Sequence, residues 1–295
     1  MANESEANNS GTLSRPGIIV IIDCTLNVPL MLIAIVGNTL VLFAVLKTPS
    51  LRSPSTVFLI SLAVSDLLVG LVVQPVYIVN ELTNDSLTKL LNITSPCACA
   101  VSLITMTSIS VDRFLALHYH MRYPNMMTTH RAIYISAVNW ITSIALSLLV
   151  FWNMNAFYIT AGIGIGFCLS VSTGCYIEIY RIVRKHQLQI LAQQQAAERL
   201  NTAENNQNLQ RSKNSAKNTF IVYIVMLMCY TPLFISMIIF GIPHIHLTTG
   251  SVLVGTVAYT NSSINPILFC WRLRDLRAAV VKISRQMFCT QTVEP

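Results

Sequence analysis

The sequence predicts an all-α membrane protein: a seven-transmembrane helix bundle with a short amphipathic eighth helix. Three observations carry this reading. Of 295 residues, 53% are hydrophobic and 11% charged, with a mean hydropathy of +0.59, whereas a water-soluble domain carries about 25% charged residues. Seven stretches reach the roughly 20 apolar residues that cross a bilayer: 18–46, 57–79, 90–117, 132–152, 157–182, 219–240 and 251–271. Seventeen of the nineteen lysines and arginines fall in the first, second and third connections on one side and in the tail, leaving Arg15 and Lys89 on the other. Positive charge gathers on the cytoplasmic face. The N-terminus is therefore expected outside and the tail inside. The net charge of +7 reads as topology and attraction to anionic lipid headgroups, not as nucleic-acid binding.

The division expected is a disordered extracellular arm over 1–17, the bundle over 18–271, and an amphipathic helix with cytoplasmic tail over 272–295. The arm is polar and acidic without a basic leader, so no cleavable signal is expected and the first span serves for insertion. It carries two glycosylation acceptor patterns, at Asn3 and Asn8, and a third stands at Asn84 in an outside loop.

The first span holds Asn38, whose minimal reading is a helix-to-helix hydrogen bond of about 0.6 kcal/mol. The second reads Ser61-Leu62-Ala63-Val64-Ser65-Asp66. A carboxylate in mid-membrane faces the bundle interior and needs a partner, a cation or a proton, and Asp66 is expected to be the only acidic group deep in the bundle. Pro75 should bend this span. The third span ends in Asp112-Arg113-Phe114 while the helix still continues. Arg113 either snorkels to the interface or is held there for a function. Trp140 in the fourth span reads as a packing or interfacial aromatic. The fifth contains Gly162, Gly164 and Gly166, then Tyr176, and is expected to extend as a helix over 187–200 before a mobile hinge at 201–210, unless that segment is plain low complexity. Pro232 bends the sixth span. The seventh carries Asn261-Ser262-Ser263-Ile264-Asn265-Pro266-Ile267-Leu268-Phe269, whose polar face must look inward. Basic and apolar residues then alternate from Arg272 to Val280, as on an interfacial helix.

None of the eight cysteines falls in an outside loop, so no disulfide is expected. Cys289, beside the basic amphipathic segment, is a palmitoylation candidate. No metal-ligand spacing and no nucleophile–base pair is visible, so an enzyme is not expected. A transporter remains the other class to weigh, but no internal repeat halves the chain.

Taken in order, Asn38, the Leu62-to-Asp66 run, Asp112-Arg113-Phe114, Trp140, Tyr176, Pro232 and Asn265-Pro266-Ile267-Leu268-Phe269 resemble the rhodopsin-like (class A) G-protein-coupled receptors over residues 18–285. The resemblance implies a plasma-membrane receptor that passes binding of an extracellular ligand to a heterotrimeric G protein. It needs no cofactor beyond a possible allosteric sodium ion. Asn38, Asp66, Ser102, Asn261 and Asn265 would form the sodium pocket. Arg113 would be held by Asp112 at rest and released toward Tyr176 and the G protein. Phe114, Tyr230, Pro232, Asn265, Pro266 and Phe269 would belong to the activation switch. Departures stand beside the matches: Phe114 and Phe269 replace tyrosines, Tyr230 a tryptophan, and Ser212 an acidic clamp on the arginine.

The missing outer disulfide and the short second outside loop are similar to the melanocortin receptors. The run from Tyr119 to Ala132 resembles the melanocortin, adenosine and cannabinoid cluster. The ligand is left open among a neutral small molecule, a lipid and a peptide. Ser95 stands where an amine receptor has Asp, and Tyr259 where an opsin has its lysine. Val76, Thr88 and Asn92 lack melanocortin-type acids, and Met237 lacks the adenosine-type asparagine. Ser95, Cys99, Tyr230, Phe234 and Tyr259 form the candidate ligand pocket, or simply pack the helices.

Overall fold

The computed structural model describes residues 17–51, 53–83, 87–120, 122–196, 202–240 and 248–289. The expected arm, with Asn3 and Asn8, and the loop residue Asn84 lie outside them. The helices are α1 (Gly17–Lys47), α2 (Pro54–Leu68), α3 (Gln74–Leu82), α4 (Thr88–His118), the short α5 (Tyr123–Met126), α6 (Thr129–Trp152), α7 (Met154–Ala196), α8 (Thr202–Phe240), α9 (Thr248–Arg272) and α10 (Arg274–Cys289). Hydrocarbon offers no hydrogen bonds to a bare backbone, so each apolar run closes its own as a helix.

Among the described residues, six helical segments are long and apolar enough to cross a membrane, with α2 and α3 counting as one. The seventh, α9, has 25 residues, about 37 Å at 1.5 Å each. It is less apolar because it carries Thr256, Asn261, Ser262, Ser263 and Asn265, all buried. Burial runs opposite to that of a protein in water. Ile163 and Met228 are each 70% exposed while Asp66 and Gln74 are 0% exposed, as expected where lipid is the solvent.

Pro75 acts through its neighbourhood rather than by a break. A single π turn, Val69–Val73, joins α2 to α3, with the Gln74 N–H bonded to the Val69 carbonyl. The turn absorbs the donor that proline lacks. The expected hinge at 201–210 is corrected: Thr202 opens α8, and its first turns run through the Asn- and Gln-rich stretch. No proline or glycine interrupts 202–231, and Ala, Glu, Gln, Leu, Lys and Arg there are good helix formers.

The α10 helix lies against the bundle by Leu276, Ala279 and Ile283, spaced three and four apart, which join Val41, Ala44 and Val45 of α1 in the main core. The closest approach of α1 to α9 is at Gly37. A Cβ there would stand 2.9 Å from Cβ and Cγ of Pro266, a ring that cannot move aside. We therefore expect Gly37→Ala to destabilise the detergent-solubilised protein by about 1–3 kcal/mol, the cost of overpacking. Gly164→Ala, whose Cβ meets nothing within 4 Å, should hold or raise the melting temperature. Equal melting temperatures for the two variants would contradict this helix crossing.

Candidate functional site

Three groups of residues converge between the helices. The first is a cavity of about 360 Å³ bounded by α4, α6, α7 and α8. Its polar groups are Ser95, Thr142, Ser147, Thr160 and Tyr230; the remainder is Leu, Ile, Ala, Phe, Met, Pro, Gly and Cys, with no carboxylate or ammonium among the described residues of the wall. Of the five residues expected here, Ser95, Cys99 and Tyr230 line it. Tyr259 stands behind the wall, its hydroxyl 2.7 Å from that of Ser95. Phe234 does not line it: its ring covers Gly166 in a separate apolar cleft of about 430 Å³ between α7 and α8. The glycine spacing contains this division. Gly162 and Gly166 are one turn apart and face the cleft, while Gly164, two residues from each, faces the cavity.

The second group surrounds Asp66, which is fully buried. Asn265 Nδ2 donates to its Oδ2 at 2.8 Å and Ser102 Oγ to its Oδ1 at 3.4 Å. Asn261 Nδ2 reaches Ser102 Oγ, Met106 Sδ and the Tyr230 hydroxyl at 3.4, 3.5 and 3.4 Å. Asn38 stands beside this group rather than in it, donating to the carbonyls of Ala34 and Ser262 and so bracing α1 on α9. The side-chain oxygens of Asn261 and Asn265 are buried with no hydrogen-bond partner. An ionised carboxylate with two unsatisfied amide oxygens near it is a donor set suited to a hard monovalent cation. Tyr230 belongs to both groups, with its ring in the cavity wall and its hydroxyl on Asn261.

The third group centres on Asp112 and Arg113. The expected pair between them is not formed. Asp112, 1% exposed, accepts from Ser55 Oγ at 2.6 Å and from the Tyr123 hydroxyl at 2.7 Å. Successive residues on a helix point about 100° apart and do not face each other. Asp112 therefore looks toward α2 and α5, and Arg113 elsewhere, its Nε buried without a hydrogen-bond partner. Burial raises the Tyr123 phenol above its ordinary value, and the Asp112 carboxylate adds to this, so the phenol remains a donor. Arg131 fixes the other end of α5 by donating to the carbonyls of Asn125 and Met126.

Arg272 at the end of α9 lies near Arg113 and Tyr176. The Tyr176 ring packs on Tyr223, centroids 4.6 Å apart. Phe269 is buried in the core, Pro266 against Gly37, and Pro232 inside α8. Phe114 stacks near His118, and Trp140 donates to Ser61 Oγ at 3.0 Å. Ser212 and Cys289 lie in α8 and α10, their side chains outside the described residues. The seven described cysteines are free thiols.

The expectation that Asp66 is the only acidic group deep in the bundle fails. Asp23 of α1 is also 0% exposed, held by Tyr77, Thr256 and Asn27. It was hidden in an apolar run, but Asp23 and Asn27, four residues apart, share one helix face, which was the available signal.

A helical bundle with a ligand-sized cavity, a buried carboxylate network below it and a basic pair beyond that has the parts of a transmembrane signalling receptor. The pattern of the 7 transmembrane receptor (rhodopsin family) matches residues 37–157 and 150–269, and the chain belongs to this family. Among similar proteins, the D(1) dopamine receptor of Carassius auratus is 28% identical over 93% of this chain and 91% of its own length. The adenosine receptor A2b of Gallus gallus is 27% identical over 87% and 86%, and the adenosine receptor A2a of Canis lupus familiaris 24% over 88% and 71%. The protein is thus a membrane receptor rather than an enzyme.

Double-mutant cycles test the third group. Asp112→Asn combined with Tyr123→Phe should show a coupling of about 0.5–3 kcal/mol in thermal stability. Asp112→Asn with Arg113→Ala should show almost none. The reverse order would restore the pairing within the motif.

Proposed function

We propose that this protein is a plasma-membrane receptor whose ligand occupies the 360 Å³ cavity and whose activated form promotes nucleotide exchange on a heterotrimeric G protein. The observation that carries the reading is Tyr230, which lines the cavity and touches Asn261 of the Asp66 network. Ligand contact at one face of this ring acts on the polar network at its other end. A sodium ion at Asp66, with Ser102 and the free oxygens of Asn261 and Asn265, stabilises the resting arrangement. Such a switch requires the ligand to bind one packing better than the other.

Among the described residues of the cavity wall none carries a formal charge, which supports a neutral, largely apolar ligand, a small molecule or lipid. Burying a ligand ammonium there without a counter-charge is costly. The relatives named for dopamine and adenosine therefore guide the fold and the coupling more than the ligand. On the opposite side of the bundle, the Arg113 guanidinium, whose Nε has no hydrogen-bond partner among the described residues, and the neighbouring Arg272 offer donors to carbonyl or carboxylate groups of a G protein.

Nucleotide exchange at matched surface expression, driven by a panel of neutral lipophilic ligands, tests both ends. Arg113→Ala should remove nearly all agonist-driven exchange. Arg113→Lys should retain little, because an ammonium lacks the planar fork of donors. Gly164→Leu fills the cavity without a clash at Cβ and should lower agonist potency at least about tenfold, near 1.4 kcal/mol, while basal exchange persists. Full signalling from Arg113→Ala would make that residue a mere anchor. Unchanged potency in Gly164→Leu would move the ligand elsewhere.

The distribution of lysine and arginine supports an outside N-terminus and an inside C-terminus. Epitopes placed at the two ends should be labelled on intact cells only at the first. C-terminal labelling without permeabilisation would invert the orientation.

A further inference from the structure

The Asp23 network has no part in the reading above. Asp23 lies on α1 six residues after its first residue, about 9 Å along the helix. Its Oδ1 accepts from Thr256 Oγ1 at 2.5 Å, and its Oδ2 from the Tyr77 hydroxyl at 2.6 Å and Asn27 Nδ2 at 3.4 Å. All three donors are neutral, and among the described residues no cationic side chain pairs with the carboxylate. Removing a carboxylate from water costs several kcal/mol even after relaxation, and three neutral hydrogen bonds leave the charge itself uncompensated.

The surroundings are rich in oxygen rather than in cations. Asn27 Nδ2 donates to Thr256 Oγ1 at 2.8 Å, so its Oδ1 faces the other way and meets only Gln74 Nε2, at a long 3.5 Å. Gln74 is itself 0% exposed, and its Oε1 has no hydrogen-bond partner. One carboxylate and two hydroxyls, with two under-used amide oxygens on the side of Asn27 turned from Asp23, therefore lie in one cluster where α1, α3 and α9 meet. Oxygen sets of this kind suit hard cations. The neighbouring side chains close tightly, with Asn27 and Gln74 at 0% and Tyr77 at 5% exposure, which suits a bare ion rather than an organic ammonium group.

We propose that Asp23, Asn27, Gln74, Tyr77 and Thr256 form a second monovalent-cation site, for sodium, separate from the one at Asp66. Gln74 is eight residues beyond Asp66 along the same span, roughly 12 Å of helix rise. The ion neutralises Asp23 and fixes Tyr77. The Tyr77 ring meets that of Tyr259 edge-on at 5.6 Å, and Tyr259 holds Ser95 of the cavity wall. Occupancy therefore stiffens the α4 wall of the ligand cavity at Ser95, and sodium acts on the receptor through two sites.

Thermal unfolding of the purified full chain, in sodium chloride against N-methylglucamine chloride at equal ionic strength, tests this. Part of the sodium-dependent stabilisation should survive in Asp66→Asn and disappear in Asp66→Asn/Asp23→Asn. Asp23→Asn alone should lose the complementary part. Gln74→Met keeps the volume and leaves Asp23 in place, so it reports on the site even if Asp23→Asn folds poorly. It should raise the sodium concentration for half-maximal stabilisation of Asp66→Asn by about tenfold or more, as loss of even an outer partner does at metal sites. Complete loss of sodium dependence in Asp66→Asn, or an unchanged response in both Asp23→Asn and Gln74→Met, overturns the proposal. A sodium response carried wholly by Asp23 leaves it standing and removes instead the ion assigned to Asp66.

Discussion

The hydrogen bond from Asn265 to Asp66 is the interaction on which the bundle interior depends. It joins the second span to the seventh, and both partners are almost fully buried. In hydrocarbon neither side chain has water to fall back on, so each fixes the other's rotation about its helix axis. Once Asp66 is turned inward, Ser102 follows on α4 and Asn261 on α9. Asn38 braces α1 against the Ser262 carbonyl, and Gly37 lets the backbone of α1 approach Pro266. The apolar surfaces are left to face lipid. A carboxylate alone destabilises a membrane helix; this one sets the register of four.

The same logic explains how the interior is divided. Lipid-facing residues carry little positional information because one aliphatic side chain replaces another without changing the solvent contact. Polar positions are specific, since each needs a partner at hydrogen-bond distance. Tyr230 is informative for this reason. A ring wholly apolar would pack equally well in the cavity wall, but its hydroxyl bonds to Asn261. The cavity wall and the carboxylate network are thereby joined through one side chain.

Much of the fold is legible in the residues themselves. The apolar runs give the spans to within a few residues, because length and hydropathy are set by bilayer thickness. The polar face of 251–271 announces the inward side of α9. Asp66, Ser102, Asn261 and Asn265 are grouped, together with Asn38, by the resemblance to the receptor family; hydrogen bonds link those four and leave Asn38 beside them. Other features depend on three-dimensional neighbours. Phe234 differs from Leu233 only in which side of α8 it occupies, and no local pattern says which side borders the cavity. The helical start of α8 was obscured by Asn and Gln, which suggest irregular chain although nothing in the stretch forbids a helix. Asp23 stands as a single charge within the apolar run of the first span and draws no expectation of its own. Its pairing with Thr256 spans more than two hundred positions and has no local trace.

Asp112 and Arg113 show why adjacency in sequence misleads. Opposite charges side by side suggest an ion pair, yet the turn of a helix separates their directions by about 100°. The carboxylate finds Ser55 and Tyr123 instead, two neutral donors on α2 and α5. These two short hydrogen bonds hold the carboxylate toward α2 and α5, turned from the direction Arg113 takes on the helix. The guanidinium stays near Arg272 with an unbonded Nε. Such a half-buried group, with a donor left unused, gains from a partner that brings oxygens to it. The motif then works as a division of labour: Asp112 secures the short helix of the connecting loop, and Arg113 is left with donors to offer.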